Sequence, residues 1–169
     1  MVGVRLFPAR PARTDLSELS DHLGTKAAPL AFGLGEDTLA VGLRHALAVR
    51  RGRDWVVMPY HELARGGWDP ASSTLWWQPV DGQRDEVVLS DPGRVPELFR
   101  ERMTASVVAD AVVAAGADSV RVVARRDLAD PSSELMWSAT PVTGKPGTDA
   151  MFRLLAAAIE QVKGDYAIA

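Results

Sequence analysis

Three histidines, His22, His45 and His61, are the side chains best suited to proton transfer or metal ligation, and they lie in three separate segments. No two stand three or four residues apart, and there is no HExxH, the spacing that sets two imidazoles on one helical face around zinc. The chain has no cysteine, which removes thiol nucleophiles, disulfides, iron–sulfur clusters and cysteine zinc sites together. The neighbouring carboxylates Glu36-Asp37 and Asp85-Glu86 point apart in an extended chain, so they suit solvated turns better than acid–base pairs. Gly33-Leu34-Gly35 and the GKPGT run at 144–148 match neither a Walker loop nor a dinucleotide fingerprint, and both read as turns. These residues point to no metal, no cofactor and no catalysis.

Binding chemistry is what remains. Arg44, Arg50, Arg51 and Arg53, together with Arg125 and Arg126, would form one basic surface if the two halves of the chain packed together. Such a surface suits an anionic ligand, an acidic lipid or nucleic acid, although the overall formal charge of −3 argues against a protein that coats nucleic acid. Trp76 and Trp77 are adjacent, and in a strand one ring must face the core while the other faces away. The outward ring either lies under a terminal helix or marks a contact with a partner protein or a second copy. Asp69, beside Trp68, is placed to accept hydrogen bonds in the turn around Pro70.

The elements that must carry these residues are organised around residues 54–69, DWVVMPYHELARGGWD. This stretch reads as two short strands joined at Pro59-Tyr60-His61, with flanking strands expected in the same sheet and a bulge or close backbone approach expected at Gly66-Gly67. Residues 1–26 read as an N-terminal arm, with a short strand at 2–7 and a helix in which Asp15 and Glu18 have capping-box spacing. Leu16, Leu19 and Leu23 line one side of that helix, and Gly24 ends it. Residues 27–89 alternate apolar and polar side chains in short runs, the pattern of a β meander, with Asp81-Gly82 as a hairpin turn.

A helix over residues 94–104 follows from Asp91-Pro92-Gly93 and from Val95, Leu98, Phe99 and Met103 on one side. Residues 104–115 fit a longer helix or a strand equally well. Strands are expected at 119–125 and 134–140, then a helix over 149–163 capped by Thr148 and ended by Gly164. No run approaches the roughly 20 apolar residues of a membrane span or a signal-peptide core, and a cysteine-free chain suits the cytoplasm.

The pair Trp68-Asp69 and the segments DPGR (91–94), RERMTASVV (100–108) and VRVVARR (120–126) resemble a family of uncharacterised actinobacterial proteins over roughly residues 25–165. That resemblance implies a lineage and a strand near 106–114, and it transfers no site. Residues 27–104, with a proline–aromatic corner at 58–63 between two strands, are similar to bacterial pleckstrin-homology-like domains, which implies a strand barrel plugged by one helix.

The expected molecule is therefore α+β: a meander or pleckstrin-homology-like barrel (27–89) with a helix (94–104), then two or three strands and a C-terminal helix, packed as one unit. Its expected work is non-catalytic binding of a partner protein or a second copy through Trp76 or Trp77. The alternatives are an anion-binding arginine surface and an enzyme whose site would be a deep pocket holding His61, Glu62 and an arginine.

Overall fold

Leucines at 16, 19 and 23 recur at helical spacing, and helix α1 (Arg13–Leu23) forms around them in the computed structural model, which describes residues 10–168. The helix starts earlier than its carboxylates suggested. Ala12 is the N-cap, and Asp15 sits in the first turn, where its carboxylate accepts from the Ala12 backbone N–H at 3.0 Å. Gly24 ends α1 in the left-handed region, φ 65°, with its own N–H and that of Thr25 closing on Asp21 and Ser20 carbonyls. The strand expected at 2–7 lies outside the described residues.

The polypeptide forms two compact units, Met1–Ala105 and Ser106–Ala169. In the first, strands β1 (Ala31–Gly35), β2 (Thr38–Gly42), β3 (Ala46–Arg51) and β4 (Asp54–Pro59) form an antiparallel meander in sequence order. Alternation predicts one buried face per strand, yet Leu39 to Gly42 of β2 and Ala46 to Val49 of β3 are buried on both faces. The reason is α1: Leu19 packs with Leu39, Val41, Leu43, Ala46 and Ala48 on one side of this sheet, so the opposite side is free to form a second core.

A single-turn 3₁₀ helix at Tyr60–Glu62 carries the chain from β4 into β5 (Leu63–Asp69), which pairs with β6 (Thr74–Pro79) and through it with β7 (Asp85–Val88). The two strands of the 54–69 stretch thus belong to different sheets, where a shared sheet was expected. The Pro59-Tyr60-His61 corner is the point of transfer, because Pro59 cannot continue a ladder. The irregularity in β5 falls between Leu63 and Arg65, ahead of the Gly66-Gly67 pair where it was expected. Helix α2 (Val95–Ala105) then packs on β1, β2, β5 and the 3₁₀ turn, burying Val95, Leu98, Phe99 and Met103. An antiparallel bridge between Leu34 and Asp91 ties the approach to α2 back onto β1. Among the described residues no closed barrel results: the strands form separate sheets of four and three.

In the second unit the ambiguous stretch is β8 (Val107–Ala115), followed by β9 (Asp118–Arg125) and β10 (Met136–Thr143) in the order β10-β9-β8. Helix α3 (Asp149–Ile168) covers one face, its Met151, Ala158 and Val162 packing with Val120 and Val122. Thr148 caps it as expected, its hydroxyl accepting from the Met151 N–H at 3.2 Å. Gly164 does not end it. Tyr166 meets the ring of Trp137 edge-on at 6.2 Å, a contact that rewards one more turn of helix.

Candidate functional site

Gly66 and Gly67 lie in the middle of β5, an end strand of its sheet, and α2 runs beside them. Both glycines have packing reasons. A Cβ on Gly66 would sit 2.6 Å from Phe99 Cζ, and one on Gly67 would sit 3.2 Å from Trp76 Nε1. Alternation therefore gives Gly66 to the Phe99 side of the sheet and Gly67 to the Trp76 side. Phe99 is fixed in turn by Tyr60, whose ring it meets edge-on at 6.0 Å. The Tyr60 hydroxyl donates to the Leu43 carbonyl at 3.3 Å, and burial pushes its phenol well above the usual value.

Between β5 and α2 a groove of about 350 Å³ stays open. It is lined by Gly66, Gly67, Trp68, Pro96 and Phe99 together with the exposed Glu97 and Arg100. Glu97 is engaged by Arg94 at 3.5 Å, whereas Arg100 has no ion-pair partner among the described residues. This is the size and composition of a site for a small apolar group with one charged contact beside it.

The tryptophan pair divides as strand geometry requires. Trp77 is 2% exposed, and Trp76 is half-buried on the opposite face. Neither terminal helix was needed to shelter Trp76: its ring lies against Gly67 and is covered by the Arg84 guanidinium, 4.5 Å from the ring centroid.

The arginines are dispersed. Arg50 pairs with Asp15 of α1 and lies 6.0 Å from the Trp55 ring centroid. Arg51 donates to Asp85 at 2.9 Å and to the Glu86 carbonyl at 3.0 Å, with its guanidinium 5.7 Å from the Trp77 centroid. Arg53 is exposed just past the Gly52 turn, but Arg44 precedes β3 at its other end, roughly 20 Å away at strand rise. Arg50, Arg51 and Arg53 thus stand around one turn, with Arg44 apart from them, and carboxylates engage Arg50 and Arg51. In the second unit Arg125 is 7% exposed and donates to the Ser106 hydroxyl at 2.8 Å, while Arg126 is exposed. Burial, and then the charge of Arg121, hold the Arg125 guanidinium below its ordinary pKa.

His61 is largely buried beside Glu62, with 4.0 Å between Nε2 and Oε1, and neither lines the groove. His22 is exposed in the last turn of α1, and His45 is half-buried before β3. Among the described residues no group of three or more histidines and carboxylates could hold a metal ion, and no helix is long and apolar enough to cross a membrane. Asp69 does what its position suggested: it accepts from Ser72 Oγ at 2.8 Å and from the Ala71 N–H at 2.9 Å, and these bonds hold its carboxyl below the usual range.

Comparison of the chain with protein-family models, curated proteins and solved structures found no match. The geometry alone carries the functional reading. Sequence reasoning missed Trp68, Pro96, Phe99 and Arg100 as groove residues; the one signal that could have found them was the Gly66-Gly67 pair inside a strand.

Proposed function

We propose that the protein is a non-catalytic binding module, and that its first unit accepts an apolar side chain of a partner protein in the groove between β5 and α2. The observation that carries this reading is the groove itself, lined by the apolar side chains of Trp68, Pro96 and Phe99 beside the Gly66-Gly67 backbone. The exposed Arg100 favours an acidic residue next to the apolar anchor.

We read the first unit as pleckstrin-homology-like in its open form. The order of four strands, three strands and a covering helix supports this. The cysteine-free composition supports the cytoplasm as its compartment. The arginine surface is the weaker reading, because Arg50 and Arg51 already have carboxylate partners.

Selection of displayed peptides on the full chain tests the proposal. Enriched peptides should share a large apolar residue beside Asp or Glu. Arg100→Glu, which alters an exposed side chain, should weaken their binding about ten-fold or more. Peptides that bind this variant as tightly as the wild type would remove the groove as the site, and no enrichment at all would remove the protein-binding reading.

A further inference from the structure

Among the described residues three open sheets present six edges, and an unpaired edge is a template for another strand unless something blunts it. Five of the six are blunted. β1 is bridged to Asp91, with hydrogen bonds of 2.7 and 2.9 Å between Leu34 and Asp91. β4 is bounded by Asp54 and Pro59, β5 has α2 beside it, β7 is four residues long with Asp85 and Glu86 at its head, and Pro141 interrupts β10.

β8 is the exception. It runs for nine residues, VVADAVVAA, without proline, lysine or arginine. Its one charge, Asp110, is neutralised on its own sheet by Arg121 of β9, which donates from Nε at 2.8 Å and also from Nη2. Val112 is 62% exposed, and Ala114 and Ala115 are exposed beside it. From Ala109 to Ala115 the strand is in unbroken register with β9, and its only irregularity, between Val107 and Ala109, comes earlier.

We propose that β8 pairs antiparallel with β8 of a second copy, joining two three-stranded sheets into one of six strands about a two-fold axis at Val112. Self-complementarity selects a second copy as the occupant. An axis on Val112 sets Ala111 opposite Val113, Asp110 opposite Ala114 and Ala109 opposite Ala115 of the other copy. Each residue then meets one on the same face of the sheet, as pairing requires. The two Asp110 carboxylates stay apart, each with its own Arg121, and the two exposed Val112 side chains cover one another. This interface belongs to the second unit and does not depend on the groove of the first.

Light scattering of the full chain over a concentration series should show a dimer that dissociates on dilution; a monomer at every concentration overturns the proposal. Val112→Asp sets two carboxylates face to face at the axis, so it should give a monomer with an unchanged circular dichroism spectrum, and a persisting dimer overturns the proposal. A second variant decides the matter if that one fails to fold. The sequence has no cysteine, so Val112→Cys supplies a single thiol, which a short bis-maleimide should link between copies far more efficiently than it links Gln161→Cys on the exposed face of α3. Equal linking at the two positions overturns it.

Discussion

Asp110 and Arg121 meet across β8 and β9 through two parallel hydrogen bonds, the geometry in which guanidinium and carboxylate bind best. The bond from Arg121 holds the Asp110 carboxyl below its ordinary value. A carboxyl depressed in the folded state contributes stability at pH values above its unfolded value, about 3.9, and loses it as pH falls through the folded value. Both side chains are more than a third exposed, so the contribution at neutral pH is small, about 0.5 kcal/mol or less. Asp110→Asn should therefore flatten the acid limb of stability below about pH 4 and change little at pH 7. Urea unfolding midpoints across pH, at one low protein concentration, would show it, and parallel acid limbs for the two proteins would contradict it. At this scale strand period made the opposite fates of Trp76 and Trp77 readable in the sequence. The fates of Arg50 and Arg51 were not readable, because a long side chain takes the nearest carboxylate in space. For these two it was Asp15 and Asp85, 35 and 34 residues away along the chain.

Helix α1 illustrates what an element can do that its own sequence does not announce. Its leucine stripe predicted the helix, but the stripe alone does not say that this helix makes β2 and β3 two-sided core strands by covering the sheet. Leu19 is fully buried, and Leu19→Ala should cost about 2–5 kcal/mol through lost burial and a residual cavity. A loss below about 0.5 kcal/mol in chemical denaturation, the range of ordinary surface substitutions, would show that α1 is an appendage and not part of the core. The meander and α2 were legible because turn residues and apolar spacing agree locally. The split of residues 54–69 between two sheets was not, because period-2 patterning does not say which strand will be the neighbour. Residues 104–115 were ambiguous for the same reason: Val107, Val108, Ala111 and Val112 satisfy both periods, and pairing with β9 decides for the strand. In α3 the contact between Trp137 and Tyr166 outweighs the glycine at 164.

The whole molecule is two units that each leave one feature unfinished, a groove lined by apolar side chains in the first and an unprotected strand edge in the second. The two proposals give each a partner of different geometry, and the variants Arg100→Glu and Val112→Asp separate them. The most direct test of the binding role is amide chemical-shift mapping of the isotope-labelled protein with a selected apolar–acidic peptide. The groove reading predicts changes concentrated at Gly66, Gly67, Trp68, Phe99 and Arg100, with the amides of Arg51, Gly52 and Arg53 and those of β8 unmoved. Changes confined to the arginine turn, or to β8, would contradict it.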